Sequence, residues 1–83
     1  MTDTHIKNDD IILIGSNIKH IREQKRMKPK ELVKEVNLQG VDLNVFSLSK
    51  IEADKQHIKA SQFKAIAIAL KVDCTELLKS IKE

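Results

Sequence analysis

Two polar side chains, Ser47 and Lys50, lie three positions apart in a short segment that the sequence predicts to be helical. Leu48 and Ile51 alternate with them, at a spacing that places both apolar side chains on the inner face of such a helix. Phe46 precedes Lys50 by four positions and so shares its outer face. Hydroxyl and ammonium groups held on an outward face donate hydrogen bonds to a partner. The segment is therefore predicted to form a recognition surface.

The remaining residues give little support for a catalytic function. His5, His20 and His57 have no metal-ligand spacing with one another or with Cys74. The sequence contains no paired carboxylates, no nucleophile–base set and no glycine-rich phosphate loop, so we expect that the protein is not an enzyme. The lone Cys74 cannot form an internal disulfide, which fits a reducing cytoplasm, and it is expected to lie in the first turn of a helix.

Positive charge is concentrated in one part of the chain, although the net charge is only +3. Residues 1–18 carry one lysine against three aspartates, residues 19–34 carry seven basic against two acidic side chains, and residues 35–83 carry seven of each. The block from 19 to 34, with a balance of +5, favours a polyanionic partner such as DNA. The alternative is a solvated helix face without a partner.

The pattern of apolar residues predicts an all-α fold. Ile11, Ile14, Ile18 and Ile21 recur at spacings of three and four. Similar patterns predict helices at about 10–26, 29–37, 45–53 and 61–71, and a fifth helix that carries Leu77, Leu78 and Ile81. We expect one domain over 10–83 behind a flexible tail of residues 1–9, with no signal peptide and no apolar run long enough to cross a membrane.

Particular residues mark the ends of these helices. Pro29 suits the first turn of the second helix, because its missing N–H would have no partner there. Gly40 permits a positive φ in the connection that follows, and Asn44 is a favourable cap for the third helix. Asp73 to Glu76 have the form of a capping box at the start of the fifth helix. Lys25 and Arg26 are expected in the last turn of the first helix, where cations stabilise the carbonyl end.

The order of these helices and their residues resembles the phage repressor–Cro type of helix-turn-helix regulator, the XRE family. The resemblance extends over about residues 12–79. It is carried by Ile14-Gly15, Ile18, Ile21-Arg22, Glu31-Leu32, Leu48-Ser49-Lys50-Ile51-Glu52, Ala65-Ile66-Ala67, Ala69-Leu70 and Thr75-Glu76-Leu77-Leu78. Leu38-Gln39-Gly40-Val41-Asp42 is similar to a variant with a lengthened turn before the third helix. The resemblance implies a five-helix bundle of the lambda repressor-like helix-turn-helix type.

The resemblance also implies the positions that bind DNA, because the third helix of this family enters the major groove. The implied positions are Asn44, Val45, Phe46, Ser47 and Lys50. Lys50 is expected to donate to guanine O6 and N7, and Ser47 to a phosphate or a base edge. Phe46 is expected either to contact thymine methyl groups or to pack against the lengthened turn at Leu38 or Leu43.

Residues around the second helix differ from the family pattern. Lys28 stands where a capping serine or threonine is usual, and Pro29 replaces a glutamine that bonds to phosphate. Lys28 and Lys30 are expected to attract phosphates by charge, and Lys55, after the third helix, to touch the DNA backbone. The alternative for each is a solvated lysine.

The family further implies an ion pair between Arg22, late in the first helix, and Glu52, which closes the third. The alternative is two separate surface charges of little energetic importance.

Together with these features, the resemblance implies a cytoplasmic transcriptional regulator, a repressor by analogy with the family that it resembles, which binds double-stranded DNA without a cofactor or a metal. As a homodimer it would present two recognition helices about 34 Å apart to a two-fold symmetric operator. Leu77, Leu78 and Ile81 are candidates for the subunit contact, although Leu77 and Leu78 fit a packed core equally well. The alternative function is a protein-interaction module, antirepressor or antitoxin-like, on the same fold with weak or lost DNA binding.

Overall fold

The computed structural model describes residues 14–78, and within them all regular secondary structure is α-helical. The five helices are α1 (Ile14–Gln24), α2 (Pro29–Leu38), α3 (Val45–Glu52), α4 (Ala60–Leu70) and α5 (Cys74–Leu77). The all-α prediction is confirmed, and the bounds predicted for α2, α3 and α4 differ from these by at most one residue. The tail at 1–9, the predicted helix start near residue 10, and Ile81 lie outside the described residues.

The helices enclose one apolar core. α1 packs on α3, α4 and α5, whereas α2 packs on α3 and α4. The largest fully buried side chains come from all five helices: Ile18, Leu32, Val36, Leu48, Ile51, Ile66, Leu70 and Leu77. None of the helices between residues 14 and 78 combines the length and the apolarity needed to cross a membrane.

Three helices end in the same way, and none of the three uses glycine. Arg26, Asp54 and Lys71 follow α1, α3 and α4 with φ values of 56°, 59° and 60°. The next residue in each case donates its N–H to the carbonyl five positions earlier, at 2.8–3.0 Å, which is the hydrogen bond of a Schellman motif. A left-handed conformation costs a residue with a Cβ about 1–2 kcal/mol, so these ends store some strain.

The turn after α1 corrects one prediction. Lys25 and Arg26 do not lie in the last turn of the helix, because α1 ends at Gln24. The left-handed backbone of Arg26 reverses the chain there and lets the Met27 N–H bond to the Arg22 carbonyl at 3.0 Å.

The capping box predicted at Asp73 is also wrong in part. Asp73 does occupy the N-cap of α5 with an extended backbone, but its side chain makes no capping hydrogen bond. The Glu76 N–H, which such a cap would satisfy, donates instead to the Asp73 backbone carbonyl at 2.9 Å. Cys74 is exposed and is the first residue of α5, as predicted.

Candidate nucleic-acid interface

The inner face of α3 is buried as the sequence predicts. Leu48 and Ile51 belong to the apolar core and have almost no contact with solvent. Because the two side chains are held by α1 and α2, the opposite face of α3 is directed outward. That face carries the predicted recognition residues.

Asn44 begins α3 as its N-cap. Its side-chain oxygen accepts a hydrogen bond from the Ser47 N–H at 2.7 Å, and its backbone carbonyl accepts one from the Leu48 N–H at 2.9 Å. Capping satisfies N–H groups that would otherwise lack partners in the first turn. The carboxamide oxygen of Asn44 is therefore used inside the protein, and its NH₂ group is the part that remains for an external acceptor.

Phe46 lies on the surface beside Lys50. Its side chain is 69% exposed, and the Lys50 ammonium nitrogen lies 4.5 Å from the centre of its ring. Leu38 is itself 72% exposed, whereas Leu43 is buried in the core. The alternative in which Phe46 packs on the lengthened turn is therefore wrong. Leu43 makes its contacts within the core, so the turn leaves the ring uncovered.

Val45 and Ser47 complete the outward face. Val45 is 40% exposed, and Ser47 is partly buried. The structure thus brings together all five residues predicted on α3 and its cap, and both Phe46 and Lys50 are exposed. Both apolar and polar side chains lie on this surface, which suits a partner that offers both kinds of contact.

An ion pair fixes the C-terminal end of α3 to α1. Arg22 donates from Nε to Glu52 Oε2 at 2.7 Å and from Nη2 to Oε1 at 3.0 Å, and both residues are more than 90% buried. Its Nη1 donates to the Met27 carbonyl at 2.8 Å, which ties the turn after α1 to the same group. The hydrogen bond with Glu52 raises the pKa of Arg22 above its ordinary value, although burial opposes this rise. The predicted pairing is confirmed, and the alternative of two separate surface charges is wrong.

A second set of contacts joins the same two helices and was not predicted. Asp54 accepts hydrogen bonds from the Gly15 N–H at 3.1 Å and from the Ser16 hydroxyl at 3.0 Å. The backbones approach so closely there that a Cβ on Gly15 would overlap the Ile51 carbonyl oxygen. An isolated glycine inside a helical pattern is the only sequence signal for this approach.

Two glutamines hold the connection between α2 and α3 against α4. Gln39 donates from Nε2 to the Ala65 carbonyl at 2.9 Å, and Gln62 donates to the Asp42 carbonyl at 3.1 Å. Asn37, near the end of α2, accepts a hydrogen bond from the Leu43 N–H of the connection at 3.2 Å, and Gly40 has the predicted positive φ of 83°. These hydrogen bonds were not predicted from the sequence, because the identity of an amide side chain does not indicate which residue it will bond to.

The predicted phosphate-binding lysines lie on separate elements. Lys28 and Lys30 are exposed at the start of α2, and Lys55 is exposed three residues after the last residue of α3. Lys28 is the N-cap residue, and its backbone N–H donates to Glu31 at 2.7 Å. A lysine side chain has no acceptor, so it cannot return a capping hydrogen bond. Its ammonium group therefore has no part in the cap.

Part of the positive block is directed elsewhere. Lys25, Arg26 and Lys34 line a groove with Lys71, which follows α4, and the glutamates of α2 interleave with them there. The basic residues of the block at 19–34 are therefore spread over the surface and are not concentrated beside α3.

The other residues considered in the sequence, the histidines and the leucines at the end of α5, differ in their exposure. His20 and His57 are exposed, and residues 14–78 contain no cluster of three or more His, Cys, Asp or Glu side chains that would hold a metal. Leu77 is fully buried in the core, whereas Leu78 is 39% exposed. Of the residues predicted for the subunit contact, Leu78 is thus the one within 14–78 that is exposed at the surface. His5 lies outside the described residues.

Comparison of the chain with models of protein families, with curated proteins and with solved structures finds no match.

Proposed function

We propose that this protein is a DNA-binding transcriptional regulator of the phage repressor–Cro helix-turn-helix type, with α3 as its recognition helix. One observation carries the proposal. Within residues 14–78 nothing covers the outward face of α3, which presents Phe46 and Lys50 to solvent beside the capped helix start.

The chemistry of this face suits the major groove of duplex DNA. The groove admits an α-helix, and its base edges present acceptors on guanine and a methyl group on thymine. The ammonium of Lys50 supplies donors, the ring of Phe46 supplies apolar area, and the free NH₂ group of Asn44 supplies a further donor. Ser47 is available to a phosphate or a base edge.

The rigidity of α3 supports the same function. Reading a base sequence requires side chains held in a fixed position relative to the groove. The buried Arg22–Glu52 pair and the Gly15–Asp54 contact hold the C-terminal end of α3 on α1. At the other end, Gln62 holds the connection that leads into Asn44. Both ends of α3 are therefore attached to neighbouring helices by polar contacts.

In this proposal Lys28, Lys30 and Lys55 attract phosphates, which orient the protein without reading sequence. The protein acts as a homodimer on a two-fold symmetric site, because paired recognition helices read two half-sites one turn apart. The exposed Leu78 at the end of α5 is a candidate for the subunit contact.

A charge-matched pair of variants tests the proposal. Lys50→Ala and Lys64→Ala each remove one exposed lysine, from α3 and from α4 respectively. We expect Lys50→Ala to weaken binding to a selected duplex by about tenfold, within the range for a lost base contact, and Lys64→Ala to weaken it by less than about twofold. Equal effects of the two variants on fluorescence anisotropy titrations would contradict a specific role for α3.

A protein-interaction module on the same fold is the second candidate. Exposed apolar side chains at Leu38, Val45 and Phe46 favour it, because such residues often mark surfaces that bind proteins. Phe46→Arg distinguishes the two functions. A change in DNA binding, stronger if the added charge meets phosphates, would fit the DNA-binding function. Loss of a protein partner with unchanged DNA binding would fit the interaction module.

A further inference from the structure

We propose that Phe46 and Lys50 act as one unit that reads a base step in which guanine adjoins a pyrimidine carrying a 5-methyl group. This inference rests on the proposed function, because it assigns the sequence preference of α3. It goes beyond that function by naming the step that is read and by predicting a response to cytosine methylation.

The geometry of the pair supports a joint role. The Lys50 ammonium nitrogen lies 4.5 Å from the centre of the Phe46 ring, a cation–π contact between residues one helical turn apart. The ring is 69% exposed although one of its faces meets the ammonium group, so its edge and its other face remain available. The ammonium group and the ring therefore lie side by side on the outward face of α3.

The two groups match two neighbouring chemical features of the major groove. Guanine presents the acceptors N7 and O6, which take the ammonium donors, and a 5-methylpyrimidine presents a methyl group, which takes the ring. Neighbouring bases on a strand are about 3.4 Å apart, close to the separation between the ammonium and the ring. The pair can thus contact adjacent bases without separating.

An aromatic ring contacts the methyl group but does not hydrogen-bond to the exocyclic group beside it. Thymine carries O4 at that position and cytosine carries an amino group. Because Phe46 has no donor or acceptor, it distinguishes a methylated pyrimidine from an unmethylated one better than it distinguishes thymine from 5-methylcytosine. Methylation of cytosine next to guanine is therefore expected to increase affinity.

The test begins with selection of duplexes from a random pool by the full chain. In the selected sequence, thymine next to guanine is replaced by uracil, 5-methylcytosine or cytosine, and the guanine by 7-deazaguanine, which lacks the N7 acceptor. Each duplex is titrated with the wild-type protein, with Phe46→Ala and with Lys50→Ala. Leu38→Ala removes another exposed apolar side chain and is the matched control. Circular dichroism melting of each variant checks that it is folded.

We expect uracil to weaken binding of the wild-type protein about fourfold, the effect of one methyl group removed from an apolar contact. 5-Methylcytosine should bind within about twofold of thymine, and cytosine should bind like uracil. Phe46→Ala should abolish the difference between thymine and uracil, Lys50→Ala should abolish the effect of 7-deazaguanine, and Leu38→Ala should leave both differences unchanged.

Two kinds of result would overturn the inference, and they are distinguishable. The protein could bind duplexes in a salt-dependent way with equal affinity for methylated and unmethylated pyrimidines, or Phe46→Ala could keep the preference for the methyl group. Either result would show that Phe46 and Lys50 do not read this base step, and the proposed function would still stand. Absence of any salt-dependent duplex binding would reject the proposed function together with the inference.

Discussion

Arg22 and Glu52, thirty positions apart in the sequence, form a bidentate ion pair that is almost closed to solvent. The pair joins α1 to the last residue of α3. A buried pair of this kind contributes to stability mainly through the cost of breaking it, because a lone buried charge has lost its water and gained no partner.

Replacement of Arg22 by alanine should therefore destabilise the protein strongly. We expect a loss of about 3 kcal/mol in the free energy of unfolding, which lowers the melting temperature by at least about 10 °C in a domain of this size. Lys19→Ala, on the exposed face of α1, is the control and should change it by less than about 4 °C. Equal melting temperatures for the two variants would exclude a structural role for the pair.

Gly15→Ala should destabilise the protein, although replacing glycine by alanine usually stabilises a helix. Alanine normally stabilises a helix interior by about 1 kcal/mol relative to glycine. At Gly15 the new methyl group overlaps the Ile51 carbonyl, so we expect a net loss of about 2 kcal/mol in urea denaturation. Gly40→Ala is the comparison, since it meets open space and costs only the strain of a positive φ, about 1 kcal/mol. A more stable Gly15→Ala protein would show that α1 and α3 are not in close contact.

Lys71→Gly should stabilise the protein. Lys71 has a φ of 60° after α4, and glycine removes the steric cost of that conformation. Glycine also increases the entropy of the unfolded chain, so the expected net gain is about 0.5–1 kcal/mol. Lys64→Gly, in the interior of α4, removes the same charge and should cost about 1 kcal/mol. If thermal unfolding shows that both variants are less stable than the wild-type protein, this would argue against a left-handed conformation of Lys71 after α4.

Asn44 offers a way to separate stability from binding. Alanine at this position loses the hydrogen bond to the Ser47 N–H, and we expect a cost of about 1 kcal/mol. Aspartate retains the cap and places a negative charge at the helix start, so Asn44→Asp should be at least as stable as the wild-type protein. In the proposed regulator that charge lies beside DNA phosphates. Asn44→Asp should therefore bind a duplex at least about tenfold more weakly, and unchanged binding would place Asn44 outside the interface.

The sequence predicts the helices well because their apolar spacing is local information. Ile18, Leu32 and Val36 recur at helical intervals and are all buried in the core. The cap at Asn44 and the positive φ at Gly40 follow from the same local chemistry. The Arg22–Glu52 pair was predicted because a known family suggested it, since nothing near either residue indicates its partner.

Contacts between distant residues could not be predicted in this way. Asp54 bonds to Gly15 from 39 positions away, and Gln62 holds the carbonyl of Asp42, which is 20 positions away. A carboxylate or an amide forms equally good bonds with many partners, so its partner is set by the packing of the helices. At Asp73 the N-cap position was predicted correctly, but the Glu76 N–H bonds to the backbone carbonyl of Asp73 and not to its side chain.

The exposure of Phe46 was likewise decided by packing. The lengthened turn is held on α4 by Gln39 and Gln62, and Leu43 is buried in the core. This arrangement leaves the outward face of α3 uncovered, a condition that the proposed function requires.

Binding of the full chain to random duplex DNA across a salt series tests that function most directly. If the lysines contact phosphates, the logarithm of the affinity should fall linearly with the logarithm of the salt concentration, with a slope of about −0.9 for each contact. Phosphate contacts from Lys28, Lys30 and Lys55 predict a slope of about −2.7 for each subunit. Weak association with a slope near zero would contradict DNA binding by this protein.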